Sequence, residues 1–206
     1  MRTGAPPSKF PRRGALLALA ALPASLWLPR PALAGDQKYE VLSASVRATL
    51  QSAVKDRSTV DWNDLDLRAW VRVMTPRVRP YFKDEDSARN FLALLSYEAK
   101  RSGLDPHMLL AVIDIESKFR KYAVSKAGAR GYMQVMPFWT KELGEPNQGL
   151  FAERTNLRYG CVILRHYLDR ENGNMGNALA RYNGSLGRDE YPSRVFAAFR
   201  SRWALG

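Results

Sequence analysis

The stretch DPHMLLAVIDIESKFR, residues 105–120, places two acids inside a run of apolar residues. Asp105 offers a side-chain acceptor at a helix N-cap, and Pro106 suits the first helical position. The apolar periodicity that follows predicts one helix over residues 106–118. Since a buried carboxylate is costly unless it is paired or neutralised, the two acids need an explanation.

The two acids face different ways on this helix. Residues three, four and seven apart share a face, so Glu116 lies with Leu109, Val112 and Ile113 in apolar surroundings. Asp114 is roughly 200° away at about 100° per residue, and we interpret it as a solvated or ion-paired structural acid. Burial favours the protonated form of Glu116, which can then donate a proton to a leaving oxygen. From the helix alone, a structural glutamate paired with an arginine remains an alternative.

Residues 1–34 have the pattern of a cleaved signal peptide. Arg12 and Arg13 precede the apolar run GALLALAALPASLWL, and the small residues ALA end the segment. A transmembrane anchor is the alternative, but the run is short and is broken by Pro23. We therefore expect an exported, periplasmic protein, with the twin-arginine route left open. The single cysteine, Cys161, is not at the cleavage site, so we expect no lipoprotein, and we interpret Cys161 as a small buried hydrophobe.

The net charge of the chain limits the kinds of partner that it can bind. The chain carries a net charge of +12, and about +7 remains after residues 1–34, which hold five basic residues and no acid. A basic surface favours an anionic partner such as nucleic acid, acidic lipid or an acidic wall polymer, and export argues against nucleic acid. His107, His166 and Cys161 are the only soft ligands and do not have the spacing of a zinc site, so we expect no metal and no cofactor. We also expect no membrane span after the signal segment.

The rest of the sequence predicts a mostly α fold. Short helices are separated by capped breaks, with room for at most a small β-hairpin or a long loop between Tyr122 and Gly149. One helix is expected to end before Pro76, and Thr155 is expected to cap a later one. Residues 35–97 are predicted to form an N-terminal helical extension packed on a catalytic domain, residues 98–206.

Three motifs in a fixed order carry a resemblance. Glu116 opens ESKFRKYAVSKAGARGYMQVMP, and ARYNGS follows at residues 180–185. The combination resembles the lytic transglycosylases of the soluble-lytic-transglycosylase (SLT) type, over about residues 98–203. This resemblance implies a lysozyme-like helical fold with a cleft, peptidoglycan glycan strands as substrate, and Glu116 as the single catalytic acid and base.

Nine further side chains are candidates for substrate binding. The usual leucine before Met-Gln is replaced here by Tyr132, whose ring could stack on a sugar. The resemblance places the Tyr182 hydroxyl near the reacting centre. The usual glutamate with a tyrosine four residues later becomes Glu190 with Arg194, and Tyr191 is displaced. The candidates are Ser117, Ser125, Tyr132, Gln134, Met136, Tyr182, Asn183, Glu190 and Tyr191.

One carboxyl is enough if the substrate supplies the nucleophile. Most glycosidases need two carboxyls at a set separation. If the C6 hydroxyl of N-acetylmuramic acid attacks its own C1, ring closure gains a high effective molarity and leaves a 1,6-anhydro end. The alternatives are a hydrolytic muramidase on the same fold, and a non-catalytic peptidoglycan-binding module that serves cell-wall or secretion machinery.

Overall fold

The computed structural model describes residues 41–56, 58–144 and 149–205, with Met1 and Gly4 as isolated positions. The predicted signal peptide therefore lies outside the described residues apart from those two positions. The described chain contains eight α-helices and no named strand, which confirms the mostly α prediction. The helices are α1 Ala44–Lys55, α2 Leu65–Val78, α3 Glu85–Arg101, α4 Pro106–Glu116, α5 Phe138–Leu143, α6 Glu153–Arg170, α7 Met175–Asn183 and α8 Glu190–Ala198.

Most of these helices are preceded by an N-cap residue whose short side chain accepts a hydrogen bond from a backbone N–H of the first turn. Asp105 accepts a hydrogen bond from the backbone N–H of His107 at 2.8 Å, and Pro106 takes the first helical position, so the predicted start of α4 is confirmed. Asp84 caps α3 by accepting from the Ser87 N–H at 2.7 Å. Such caps satisfy backbone donors that the helix itself leaves unpaired.

Three details of the helix prediction were wrong. Helix α2 does not end before Pro76 but runs on to Val78, and a 3-10 turn, Arg79–Tyr81, follows it. Proline removes only one backbone donor here, and the N–H of Arg79 bonds the Thr75 carbonyl in the next turn. Helix α6 begins at Glu153, so Thr155 lies inside it rather than at its cap. The short helix α5 was not predicted.

Helix α4 runs through the hydrophobic core. Every residue from Met108 to Ile115 is buried, and the five from Leu109 to Ile113 have no exposed surface. Helix α4 packs against α3, α8 and the π-helical turn Phe199–Trp203, while α6 packs against α1, α3 and α7. The last residue of α4, Glu116, is therefore held by an element that has little freedom to move.

The helices before α3 share this core. Helix α1 packs on α5 and α6, helix α2 packs on α3, and an Arg47–Glu142 ion pair of 3.0 Å ties α1 to α5. Helix α3 crosses the expected domain boundary at residues 97 and 98 without a break. The division into an N-terminal extension, residues 35–97, packed on a catalytic domain, residues 98–206, stays a prediction. In the part of the chain that the structure describes, no helix combines the length and apolar character needed to cross a bilayer.

Candidate active site

Glu116 is the final residue of α4, at a point where the backbone turns sharply. Ser117 donates both its N–H (3.0 Å) and its hydroxyl (3.2 Å) to the Ile113 carbonyl, which closes the helix. The next two residues, Lys118 and Phe119, have φ values of 53° and 57°, a left-handed conformation that is costly for side-chain-bearing residues. Because Phe119 is buried against the core, packing holds this turn in place.

The Glu116 carboxyl is poorly solvated and accepts a hydrogen bond from a tyrosine hydroxyl. The residue is partly exposed to solvent, but the carboxyl group is closely surrounded by protein atoms. Burial raises the pKa of Glu116 to about 7, while a hydrogen bond from Tyr191 and the charge of Arg194 lower it by less. The Tyr191 hydroxyl donates to Glu116 Oε1 at 2.6 Å. Among the described residues no guanidinium or ammonium lies in ion-pair contact with Glu116, so burial dominates.

Asp114 has a separate, structural role on the other face of α4. Its carboxylate is 1% exposed and accepts from Lys118 Nζ at 2.8 Å and from Trp203 Nε1 at 3.1 Å. Arg202 also approaches it, at 2.7 Å. The expected ion pairing of Asp114 is therefore present, and the acid ties the end of α4 to the C-terminal turn.

The loop from Ala123 to Val135 is held by its own polar contacts. Ser125 Oγ accepts from the Ala129 N–H at 3.0 Å, and isolated antiparallel bridges join Arg130 to Val124 and to Val135. Gln134, with φ of 48°, donates its side-chain amide to the carbonyls of Gly131 (2.9 Å) and Ala123 (3.2 Å). Ser125 and Gln134 therefore make hydrogen bonds within this loop, and their contact with substrate stays a prediction.

Asn156 on α6 anchors the same loop from below. Its Oδ1 accepts from the Met133 N–H at 2.8 Å, and its Nδ2 donates to the carbonyls of Arg130 and Leu150 at 2.8 and 2.9 Å. All of its polar atoms are thus used at a position only 1% exposed. The sequence did not indicate a role for Asn156, because nothing in its own helix shows that it contacts Met133 and Arg130, which lie 23 and 26 positions earlier in the chain.

The Tyr-Asn pair ends α7 beside the loop. The Tyr182 hydroxyl donates to the Met133 carbonyl at 2.7 Å, and the residue is fully buried. The structure thus places Tyr191, and not Tyr182, on the Glu116 carboxyl. Asn183 is 8% exposed, and its Oδ1 is buried without a hydrogen-bond partner among the described residues. A buried acceptor without a donor is unusual in a folded protein.

The remaining candidates take less central places. Met136 is half-buried against the core, Glu190 is exposed at the start of α8, and Ser117 keeps its hydroxyl on the helix end. Tyr132 is 4% exposed, packs on Phe91 and lies 3.5 Å from the Glu153 carboxylate. Tyr132 also lines a cavity of about 810 Å³, together with Tyr81, Phe82, Lys118 and Tyr122, and Glu116 is not among the residues of that lining.

These features define a mostly helical protein with a poorly solvated glutamate at the end of a buried helix, where it accepts a hydrogen bond from a tyrosine of a later helix. The chain belongs to the transglycosylase SLT domain family, which matches residues 93–197. That match covers half of the chain and includes Glu116, the loop and the Tyr-Asn pair.

Named relatives are similar to part of this chain. The membrane-bound lytic murein transglycosylase C of Actinobacillus pleuropneumoniae is 47% identical over 89 residues, which cover 39% of this chain and 24% of that protein. The transglycosylase of Enterobacteria phage PRD1 is 33% identical over 92 residues, 45% of this chain and 34% of that protein. This chain thus spans about a quarter to a third of the length of these relatives.

Among solved structures, an inactive mutant of the lytic transglycosylase Slt from Pseudomonas aeruginosa is similar with a TM-score of 0.42. The sequence identity is 22%, and the superposition covers 80% of this chain and 32% of that one.

Proposed function

We propose that this protein is a peptidoglycan lytic transglycosylase that cleaves the β-1,4 bond between N-acetylmuramic acid and N-acetylglucosamine. The observation that carries the proposal is the Glu116 carboxyl, which has a pKa raised to about 7 and no cationic partner among the described residues. Membership of the SLT family and the names of the relatives support the same substrate. Export to the periplasm stays an expectation from residues 1–34.

In the first step Glu116 acts as the general acid. With a pKa of about 7, about half of the molecules carry the proton near neutral pH, whereas an ordinary glutamate would have lost it. The hydrogen bond from Tyr191 to Oε1 fixes the plane of the carboxyl. The proton passes to the glycosidic oxygen as the C1–O bond breaks, and C1 develops positive charge.

In the second step the same residue acts as the base. The Glu116 carboxylate left by the first step is stabilised by the Tyr191 hydroxyl and by the charge of Arg194. It takes the proton from the C6 hydroxyl of the muramoyl residue while that oxygen bonds to C1. The result is a 1,6-anhydro ring and a glutamic acid ready for the next cycle, so no second carboxylate is needed.

Asn183 and the loop would hold the sugar. Asn183 follows Tyr182 at the end of α7, and the Tyr-Asn motif is the reason to expect it to contact the sugar. Met136 offers an apolar, partly open side chain on the loop that Gln134 and Asn156 keep rigid. Rigid support of this kind is what positioning of a substrate requires.

The direct test is Glu116→Gln, assayed by release of soluble muropeptides from purified sacculi. The amide keeps the size and the contact with Tyr191 but cannot deliver a proton, so we expect a loss of at least 1,000-fold with an unchanged fold and unchanged sedimentation with sacculi. Asp86→Asn, which changes an exposed acid on α3, serves as the matched control and should keep full activity. Wall-degrading activity in Glu116→Gln equal to that of the control would refute the assignment.

Mass spectrometry of the released products separates this proposal from the hydrolytic alternative. A lytic transglycosylase leaves 1,6-anhydromuramoyl ends, which are lighter by one water than the reducing ends that a muramidase leaves. Anhydro ends alone are expected. Reducing ends as the main product would mean that water, and not the C6 hydroxyl, attacks C1. Binding to sacculi without any release would instead support the non-catalytic module.

A further inference from the structure

A concave pocket lined by arginines lies outside the part of the chain that matches the SLT family. It has a volume of about 420 Å³ and is formed by α2, the 3-10 turn after it and α3. Arg68, Arg72, Arg79 and Arg89 line it, and Glu85 is the one acid in its lining. The lining residues thus carry a net charge of +3 in a space large enough for a small ligand.

Two of these arginines have no partner in the part of the chain that the structure describes. Arg68 and Arg72 make no hydrogen bond or ion pair with any described residue, although both are exposed. They lie one turn apart on α2, so their like charges repel. Arg89 is only loosely paired with Glu85, at 3.9 Å. Arg79 is fixed differently, because it donates to the Phe82 carbonyl at 2.7 Å.

We propose that this pocket binds a phosphate group. A guanidinium presents a planar fork of donors that matches two oxygens of one anion, and a phosphate offers three or four such oxygens with up to two charges. A single carboxylate would pair with one or two of the four arginines. The charges of the remaining arginines would then still repel one another. A phosphate between α2 and α3 can accept from Arg68, Arg72 and Arg89 at once, which removes the repulsion on α2.

The pocket's shape favours a phosphate with a small group attached over contact with a flat charged surface. The four cations come from three successive elements and converge on one concavity rather than spreading along a helix face. The phosphate can come from a soluble compound or from the headgroup of an anionic phospholipid. Because arginine stays charged at all working pH values, the four guanidinium groups stay available to an anion throughout that range.

The test uses the full chain and two probes at constant ionic strength. Pyrophosphate binding is measured by calorimetry. Lipid binding is measured by co-sedimentation with phosphatidylcholine vesicles that hold 0 or about 30% phosphatidylglycerol, since anionic lipid surfaces attract clustered basic residues. We expect the double variant Arg68→Gln/Arg72→Gln to bind the effective probe at least 10-fold more weakly. The matched control is Arg188→Gln/Arg200→Gln, which removes two exposed arginines elsewhere.

Each outcome has a definite meaning. Pyrophosphate binding that is lost only in the Arg68/Arg72 variant supports the pocket with a soluble ligand. Vesicle binding that needs phosphatidylglycerol and is lost only in that variant supports it with a lipid headgroup. Equal weakening in the control variant, or no binding of either probe by the unmodified protein, overturns the proposal. The two substituted residues are exposed, so thermal unfolding of the variant should match that of the unmodified protein.

Discussion

At the scale of single residues, the chemistry depends on how one carboxyl is solvated. Glu116 ends a helix whose preceding eight residues are all buried, and it meets a hydroxyl rather than a cation. An arginine at the position of Tyr191 would hold the pKa of Glu116 low and remove its proton at neutral pH. The distinction between a proton donor and a structural ion pair is thus made by one neighbour on α8.

Tyr191→Phe tests that neighbour. The Tyr191 hydrogen bond lowers the pKa of Glu116, so its loss should raise that pKa further and move the alkaline fall of activity to higher pH. Losing a hydrogen bond to a charged group costs about 1.5–3 kcal/mol, and the Glu116 carboxylate is the product of the acid step, so the rate of the acid step should drop by roughly 10- to 100-fold. The measurement is kcat/KM against pH from 5 to 9.

Tyr182→Phe is the matched control for that profile. It also removes one buried hydroxyl, but this one donates to the Met133 carbonyl and not to Glu116. We expect lower stability, by about 1–2 kcal/mol, without a shift of the alkaline limb. A shift in Tyr182→Phe equal to that in Tyr191→Phe would show that the hydrogen bond to Glu116 is not what sets the profile.

At the scale of elements, the loop depends on how closely α6 approaches it. A Cβ built on Gly160 would lie 2.3 Å from Met133 Sδ and 2.7 Å from Met133 Cβ, too close for a simple rotamer change. Met133 in turn holds Tyr182 through its carbonyl and Asn156 through its N–H. The absence of a side chain at Gly160 therefore lets α6 support the loop.

Gly160→Ala should destabilise the protein by about 1–3 kcal/mol, because the added methyl overpacks a buried site. It should also reduce cleavage of sacculi, since the loop must shift. Gly176→Ala on α7 is the matched control: the added methyl meets nothing closer than 3.4 Å, and alanine favours a helix by about 1 kcal/mol over glycine. In urea denaturation we expect Gly160→Ala to lower the free energy of unfolding and Gly176→Ala to raise it. Equal destabilisation by the two substitutions would contradict the packing argument.

The sequence predicted the individual helices better than the contacts between them. Asp105, Pro106 and the apolar stripe were enough to predict α4 and the apolar setting of Glu116, because these depend on contacts within one helix. Tyr191 was a candidate, but its contact with Glu116, 75 residues away, depends on how α8 folds back on α4. Asn156 and Gly160 were missed for the same reason. Pro76 misled because a proline near a helix end costs only one donor.

At the scale of the whole molecule, a buried ion network joins α3 to α6 and to the end of α1. Glu98 has no exposed surface and accepts from Arg158 at 2.8 and 3.1 Å, with Arg101 at 3.3 Å. Arg101 also pairs with Asp56 at 2.6 Å, beyond the last turn of α1. The helices outside the SLT match are thus bound to those inside it by charge as well as by the shared apolar core.

Arg158→Met should lower the free energy of unfolding by about 3–5 kcal/mol, since it leaves Glu98 buried with weaker partners. The matched control is Arg165→Met, which breaks an exposed pair with Asp169 on the same helix and should cost less than about 1 kcal/mol. Adding Glu98→Leu to Arg158→Met should restore most of the loss. If the double variant is no more stable than Arg158→Met alone, an unpaired Glu98 is not the cause.

The most direct test of the account is the titration of Glu116 itself. In protein labelled with 13C at the glutamate side-chain carbonyl, one NMR signal absent from Glu116→Gln should titrate with a midpoint of about 7. This is the value at which the carboxyl can give a proton and take one back near neutral pH. A midpoint near 4.5, the ordinary value for glutamate, would show that Glu116 is ionised at neutral pH and would contradict its role as the proton donor.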